Sequence, residues 1–270
     1  MELYITEISK YLITILLALY TVESFMAFRF QEEERRSGIY IRQNLLMFGV
    51  HFSCFMVICF ETGKIEYLFF YIFQQILLFA IVMLFRMIYP KGNRLLINNM
   101  CMLLSIGFVI LTRISYEKAI KQFFIITVSI AIGMLLPYLM SQIRFLRNLT
   151  WIYAAVGIFA LGIVLTLGSV THGSKISYSV GGITFQPSEF VKVIFVFFLA
   201  GALYENSDIL RVALTAVLAG IHVLVLVASK DLGSALIFFI VYVFMVYIAT
   251  RKWIYLLIGC VGGCGAAVLA

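Results

Sequence analysis

Residues 209–228 read ILRVALTAVLAGIHVLVLVA, and this stretch decides the fold class. A helix that crosses the hydrocarbon core of a bilayer needs about 20 mostly apolar residues. The stretch has that length, and its one charged residue, Arg211, lies near one end. It contains no proline that would interrupt a helix. These residues therefore predict a transmembrane helix.

Similar apolar runs fill most of the chain. Of the 270 residues, 12% are charged, against about 25% in soluble proteins. The runs are also too long and too uniformly apolar for the alternating segments of about ten residues that build a membrane barrel. The sequence predicts an all-α polytopic membrane protein with about ten transmembrane helices. The runs cover about 8–28, 43–60, 67–88, 96–112, 121–141, 151–170, 188–204, 209–228, 232–250 and 254–270.

The basic residues indicate an orientation in the membrane. The net charge of +7 does not indicate nucleic-acid binding, because the Lys and Arg residues lie in short clusters between apolar runs. Such clusters mark the cytoplasmic side. When successive loops are assigned to alternate sides, twelve cations fall on one side and eight on the other. The larger set predicts a cytoplasmic side and an external N-terminus. It comprises Arg29, Arg35, Arg36, Arg42, Arg86, Lys91, Arg94, Arg144, Arg147, Arg211, Arg251 and Lys252.

The cysteines and the first run carry no sign of secretion or metal binding. Cys54, Cys59, Cys101, Cys260 and Cys264 all lie within apolar runs and lack metal-site spacing, so we interpret them as packing residues. The first run lacks a basic start and a small-residue cleavage site, which excludes a cleaved signal peptide.

The start of the seventh run, residues 186–192 (QPSEFVK), is the first candidate site. Pro187 suits the first helical turn, where a missing N–H costs nothing. Glu189 and Lys192 are three residues apart and share a helix face. Ionisable groups in membrane helices are candidates for function by default. The structural alternative is a capping glutamate beside a lysine that extends towards water.

The turn before the ninth run, residues 229–234 (SKDLGS), is the second candidate. The structural alternative for Asp231 is a helix N-cap. Both acids nevertheless fall on the predicted outer side, at helix starts. We predict that Glu189, Lys192 and Asp231 meet in one polar cavity suited to a charged headgroup.

Other polar features are weaker candidates. Glu23, His51, Gln74 and Gln75 are expected to form interhelical hydrogen bonds rather than bind a ligand. Gly259 and Gly263 have the spacing of small residues that lets helices pack closely. Residues 31–36 (QEEERR) are predicted to be a solvated cytoplasmic loop, and residues 171–187 a glycine-rich and polar outer loop.

Two of these segments together resemble one family. Residues 181–192 (GGITFQPSEFVK), followed by 230–236 (KDLGSAL), are similar to the SEDS family, the RodA/FtsW/SpoVE group of bacterial cell-wall polymerases. The outer segment 113–122, which begins with Arg113, also resembles the first outer loop of that family. The resemblance covers about 92–270 and implies about seven helices of the family core. Residues 1–91 are predicted to be three additional helices.

The resemblance implies a function and roles for individual residues. The family polymerises glycan strands from lipid II outside the bacterial cytoplasmic membrane, in elongation, division or sporulation, together with a class B penicillin-binding protein. Lys192 would then offer positive charge to a pyrophosphate or sugar headgroup. Glu189 and Asp231 would position hydroxyls, basic groups or a divalent cation. Lys175 matches a basic position of the outer loop, and Gln186, Pro187, Ser188 and Arg113 would support the cavity.

The sequence departs from the family pattern at two places. Ser177 stands where the family usually has a tryptophan. The family's general base is implied to be an aspartate in a T-D-F-[IV]-F-like element after a large outer loop, and on family spacing that element would follow Ala270. We therefore expect the natural chain to continue, and these 270 residues alone not to polymerise lipid II.

Two other functions are compatible with the same residues. A transporter could use a polar cavity to move lipid II across the bilayer, and a non-catalytic scaffold of the cell-wall machinery would need no general base. Polymer formation from purified lipid II distinguishes the enzyme from both.

Membrane orientation is testable by accessibility. With single cysteines introduced by Lys175→Cys and Arg35→Cys, a membrane-impermeant maleimide added outside intact cells should label residue 175 and spare residue 35, because the positive-inside rule places them on opposite sides. The reverse labelling pattern would overturn the predicted orientation.

Overall fold

A computed structural model describes residues 2–142, 149–167, 169–171, 174–180, 183–204 and 207–269. The described segments form ten helices and three short strands. The helices are α1 (Glu2–Arg29), α2 (Glu33–Thr62), α3 (Ile65–Ile88), α4 (Arg94–Ile114), α5 (Tyr116–Gln142), α6 (Thr150–Leu167), α7 (Pro187–Tyr204), α8 (Ile209–Ala228), α9 (Leu232–Thr250) and α10 (Trp253–Leu269). The strands are β1 (Ser169–Thr171), β2 (Ser174–Val180) and β3 (Ile183–Phe185).

The helices have the length and surface of membrane spans. Eight of those in the described segments are long and apolar enough to cross a bilayer, and two more, Thr150–Thr166 and Trp253–Gly263, are shorter and apolar. Large apolar side chains such as Phe28 and Leu210 are 76% and 85% exposed. Such a surface is costly in water and suits lipid. The predicted fold class, an all-α polytopic membrane protein, is confirmed.

The chain forms two compact units, Met1–Tyr138 and Leu139–Ala270. In the first unit, α2 packs against α1, α3 and α4. Met47, Leu78 and Cys101 are completely buried there, so the prediction that the cysteines are packing residues holds for Cys101. The boundary between the units falls near the end of α5, and three additional helices in residues 1–91 stay a prediction.

Polar side chains connect the helices of the first unit. The fully buried His51 on α2 bonds Gln74 Oε1 and Gln75 Nε2 on α3 through its two ring nitrogens, each at 3.0 Å. Asn98 on α4 donates to Gln43 Oε1 at 3.0 Å. Since hydrocarbon offers no hydrogen-bond partners, each polar group has to be paired inside the protein. The prediction of interhelical hydrogen bonds at His51, Gln74 and Gln75 is confirmed.

Glu23 forms an ion pair between α1 and α2. Its two carboxylate oxygens accept hydrogen bonds from Arg42 Nε at 2.6 Å and Nη2 at 3.0 Å. The Glu23 side chain is 15% exposed and that of Arg42 50%. Two parallel hydrogen bonds hold a guanidinium and a carboxylate in one orientation. Glu23 therefore joins two helices, as predicted for the polar residues of the first runs.

Two segments differ from the loops that the sequence predicts. Residues 33–36 of the acidic and basic run form the first turn of α2 rather than a loop. Glu33 and Glu34 complement the positive end of the helix dipole, which favours a helix start there. Residues 169–185 include three antiparallel strands in the order β1-β2-β3. The sixth run accordingly ends as a helix at Leu167 and not at residue 170.

The second unit packs α7, α8 and α9 around aromatic rings. Phe195, Phe198 and Phe238 are buried around His222 of α8, with ring centroids 5.1–6.4 Å from the imidazole. His222 Nδ1 bonds the Leu218 carbonyl at 2.8 Å. His222 is thus part of the core of this unit.

Gly259 and Gly263 bring α10 close to α9. A Cβ atom at Gly259 would lie 2.6 Å from Val243 Cγ2, and one at Gly263 would lie 2.8 Å from the Phe239 ring. Both distances are shorter than a carbon–carbon contact allows. The predicted close packing at this small-residue pair is confirmed.

This packing predicts different effects for two glycines of α10. Gly259→Ala should lower the free energy of unfolding by about 1–3 kcal/mol, because the stiff Val243 side chain has to move. Gly262→Ala is the matched control, since a Cβ there meets nothing within 4 Å. It should leave the stability unchanged or raise it by up to about 1 kcal/mol. Unfolding by SDS titration measures both, and equal stabilities would contradict the close contact.

Candidate functional site

The first part of the candidate site is the start of α7. Pro187 is the first residue of the helix, where its fixed φ is already helical. The first turn therefore presents Ser188, which is buried, and Glu189, which is exposed, in a fixed arrangement. Lys192 follows one turn later.

Glu189 and Lys192 form an ion pair on this turn. Lys192 Nζ donates to Glu189 Oε1 at 2.7 Å. The lysine side chain is 23% exposed, whereas that of the glutamate is 55% exposed. Ion pairs this exposed contribute little to the free energy of unfolding. Stabilisation of the fold therefore does not account for the pair. The pair holds the partly buried Lys192 ammonium group near the start of α7, beside a carboxylate that is accessible to solvent.

The second part is the turn between α8 and α9. The Lys230 N–H bonds the Val227 carbonyl and the Asp231 N–H bonds the Leu226 carbonyl, each at 2.9 Å. Lys230 has a φ of 60°. This is the Schellman ending of a helix, in which glycine is the usual residue at the left-handed position. The motif reverses the chain immediately after α8 and places Asp231 at the N-cap of α9.

Asp231 links the two parts. Its Oδ1 accepts the Ser234 N–H at 3.1 Å, which caps α9. Its Oδ2 accepts a hydrogen bond from Gln186 Nε2 at 3.2 Å and another from Ser188 Oγ at 3.4 Å. Asp231 is therefore a helix N-cap, as the structural alternative predicts, but capping is only one of its two roles. The same carboxylate also holds the residues that begin α7.

The structure thus brings most of the predicted site residues to two helix starts. Gln186, Ser188 and Asp231 are joined directly, and Glu189 is joined to Lys192 one turn along. Chemically, this arrangement offers the Lys192 cation, the solvent-accessible carboxylate of Glu189 and the Asp231 carboxylate, whose oxygens are already hydrogen-bonded. A common cavity lined by Glu189, Lys192 and Asp231 stays a prediction.

Two predicted residues lie in other elements. Lys175 belongs to β2, opposite Val170 of β1, and its side chain lies outside the described residues. Arg113 is an exposed residue in the last turn of α4, in the first unit. Within the described part of the chain, no group of three or more His, Cys, Asp or Glu side chains is placed to hold a metal ion.

The hydrogen bonds from Gln186 and Ser188 to Asp231 are the part of the site that sequence reasoning missed. Both donors were expected to support a cavity, but 43 and 45 residues separate them from their acceptor. The sequence shows only two local features here: a short polar segment around Pro187, and an aspartate at the start of a later helix. The left-handed Lys230 gave no signal, because glycine usually occupies that position.

These features define a class of protein. The chain is a multi-pass membrane protein with a polar site. It has apolar helices of bilayer length, a surface suited to lipid, and a hydrogen-bonded polar cluster at two helix starts. Comparison with known sequences narrows the class. The chain belongs to the FtsW/RodA/SpoVE family, described as cell cycle proteins, whose family model matches residues 93–270. The resemblance to the SEDS family is confirmed.

Individual relatives agree with this assignment. The probable peptidoglycan glycosyltransferase FtsW of Hydrogenovibrio crunogenus is 29% identical over 132 residues, which are 46% of this chain and 34% of the relative. The peptidoglycan glycosyltransferase RodA of Mycobacterium leprae is 26% identical over 198 residues, covering 64% of this chain and 42% of the relative. The chain therefore spans about a third to two fifths of the length of these relatives.

A solved structure is also similar. The rod shape determining protein RodA of Thermus thermophilus is 30% identical, with a TM-score of 0.46, over 57% of this chain and 52% of that protein. The family match begins at the N-cap of α4, so it includes the last helices of the first unit as well as the second unit.

The two roles of Asp231 can be separated by substitution. Asp231→Ala should lower the free energy of unfolding by about 2–3 kcal/mol, because it removes a helix cap and leaves two donors without their acceptor. Asp231→Asn should cost less, about 1–2 kcal/mol, because asparagine still caps α9 but its amide nitrogen cannot accept from Gln186 or Ser188. SDS-titration unfolding compares the two variants. A loss in Asp231→Asn equal to that in Asp231→Ala would show that the bonds to Gln186 and Ser188, and not the cap, stabilise the turn.

Proposed function

We propose that this chain is part of a peptidoglycan glycosyltransferase that polymerises lipid II on the outer face of the bacterial cytoplasmic membrane. The observation that carries the proposal is the arrangement of the two family segments. The turn before α9 is hydrogen-bonded to the start of α7, and Lys192 stands one turn above that junction. The names of the curated relatives support the same activity.

The proposed reaction needs a positive charge near its leaving group. The hydroxyl of an acceptor sugar attacks the anomeric carbon of a lipid-linked sugar, the bond from that carbon to the pyrophosphate oxygen breaks, and undecaprenyl pyrophosphate leaves. Negative charge develops on the pyrophosphate as the bond breaks. A fixed ammonium group beside it would stabilise the transition state. Lys192 is the group proposed for this role, since Glu189 holds it in one position.

The two carboxylates are proposed to act differently. Glu189 is 55% exposed and orients Lys192. The Asp231 oxygens are occupied by Ser234, Gln186 and Ser188, so Asp231 is a positioning residue for the start of α7. By resemblance, the acceptor hydroxyl is deprotonated by an aspartate in a T-D-F-[IV]-F-like element, and that element has no match in these 270 residues.

The proposed substrate and partner follow from the family. Lipid II is the donor and acceptor, and a class B penicillin-binding protein would cross-link the product. The predicted orientation, with the N-terminus outside, would put the starts of α7 and α9 on the outer side, where the headgroup of lipid II would be available. Lys175 of β2 and Arg113 of α4 are proposed as further basic positions near this side.

Substitutions in the natural gene product that carries this sequence test the proposal. Purified protein in detergent should convert lipid II into glycan polymer, visible on gels. Lys192→Met should lower the rate by about 10²-fold or more, because a transition-state charge contact is worth about 10²–10³-fold. Lys192→Arg should lose less, since it keeps the charge. Glu189→Gln and Asp231→Asn should also slow polymerisation.

A second ion pair provides the matched control. Glu32 and Arg35 are also three residues apart and lie 2.7 Å from each other, with side chains that are 68% and 62% exposed. Glu32→Gln, Arg35→Met and a substitution at Gln74 should leave the rate unchanged. If Lys192→Met polymerises lipid II at the wild-type rate, Lys192 has only a structural role. Translocation of lipid II without polymer would show a transporter.

A further inference from the structure

A cavity of about 490 Å³ lies in the first unit, where the start of α2, the end of α3 and the start of α4 meet. Its walls are mostly apolar and include Val82, Phe85, Leu96 and Ile97. A volume of this size accommodates a small ligand or part of an acyl chain. It is separate from the candidate site, whose residues at α7 and α9 belong to the second unit.

Three cations stand among the residues that line this cavity. Arg86 lies in the last turn of α3, Lys91 follows in the connection, and Arg94 begins α4. Arg86 and Lys91 are exposed. Within the described ranges, none of the three is in a salt bridge, and the lining of the cavity includes no Asp or Glu. The cavity therefore combines an apolar interior with an uncompensated charge of about +3 at pH 7.

The start of α4 adds to this positive potential. Asn93 Oδ1 caps α4 by accepting the Leu96 N–H at 3.2 Å. The other N–H groups of the first turn and the helix dipole still attract anions. Arg94 is the first residue of α4, so its cation and the dipole act at the same place. A cation at a helix N-terminus is locally unfavourable. A bound anion there would offset both the Arg94 charge and the positive end of the helix dipole.

A polar acceptor in the lining is also unsatisfied. Asn44 of α2 has a buried side-chain oxygen without a hydrogen-bond partner in the part of the chain that the structure describes. A buried acceptor left unpaired costs about 1–3 kcal/mol. A ligand that carries hydroxyl groups beside its phosphate could supply the missing donor.

We propose that this cavity binds an anionic phospholipid of the bilayer. Its phosphate lies between Arg86, Lys91 and Arg94, and an acyl chain lies along Val82, Phe85 and Leu96. Basic pockets between transmembrane helices are the usual sites for anionic headgroups. The three cations belong to the side that the positive-inside rule predicts to be cytoplasmic, opposite the predicted side of α7 and α9 starts. This placement favours a bilayer phospholipid over the lipid-linked substrate.

Competition between lipids tests the proposal. The purified protein is mixed with equal amounts of phosphatidylglycerol and phosphatidylcholine with the same acyl chains, and retained lipids are counted by native mass spectrometry. The wild-type protein should retain phosphatidylglycerol preferentially. Arg86→Gln, Lys91→Gln and Arg94→Gln combined should weaken this binding on the order of 100-fold, at about fivefold for each surface cation.

The matched control removes three cations elsewhere. Arg29→Gln, Arg251→Gln and Lys252→Gln change the net charge equally on the same predicted side, outside the cavity. This variant should bind phosphatidylglycerol like the wild type. An equal loss in both triple variants would show a general charge effect and overturn the site.

A bulky substitution tests the apolar part separately. Leu96 is 66% exposed and lines the cavity, so Leu96→Trp should fill it and reduce retention at least tenfold without disturbing a buried core. Leu103→Trp, two turns further along α4 at a side chain that is 71% exposed and outside the lining, is the control and should retain phosphatidylglycerol. Equal retention by the two variants would contradict the cavity as the binding place.

The source of the phosphate is tested by two competitors. Inorganic phosphate should not displace phosphatidylglycerol, because it lacks the acyl chain that fills the apolar wall. Undecaprenyl phosphate should compete more weakly than phosphatidylglycerol. Displacement by inorganic phosphate, stronger binding of undecaprenyl phosphate, or equal retention of phosphatidylcholine would each overturn the proposal.

Discussion

The absence of water from the hydrocarbon core is the constraint on which the rest of this structure depends. A buried N–H, carbonyl or charge that lacks a partner within the protein is costly. Helices satisfy the backbone, which explains why the chain is built from helices of bilayer length. Side chains then need specific partners, and these partners determine which helices lie together. The paired Glu23 and Arg42, and the His51 imidazole between two glutamines, are examples in the first unit.

The same constraint shapes the candidate site. A carboxylate at the end of a membrane helix is tolerated where it caps that helix and accepts further hydrogen bonds. Asp231 does both, so one residue ends a tight turn, begins α9 and holds Gln186 and Ser188 at the start of α7. The stability of the turn and the proposed function therefore depend on the same residue. Glu189 is more exposed and bonds Lys192, which leaves that pair available for a ligand.

The two units place positive charge in different surroundings. Lys192 carries an acidic partner and stands at a polar helix start, as expected for a headgroup that has to enter and leave. Arg86, Lys91 and Arg94 have apolar walls beside them, which favours a ligand with a hydrocarbon chain that stays bound. The distinction is physical: a lipid chain buried in an apolar groove gains free energy for each methylene group removed from solvent, whereas a paired lysine binds mainly through charge.

The sequence by itself determined the fold class, the approximate positions of the helices and the family, although α2 begins at Glu33, ten residues before the predicted run. Apolar runs of bilayer length and the polar segments at residues 186–192 and 230–236 are local patterns, and local patterns are readable without coordinates. The sequence analysis did not predict the strands within 169–185, because a short polar segment that contains glycine does not distinguish a strand from a loop. Tertiary structure alone decided that Asp231 bonds Gln186 and Ser188, and that α2, α3 and α4 enclose a cavity among three cations. Both depend on helix ends that are distant in sequence, and spacing along the chain does not specify which ends meet.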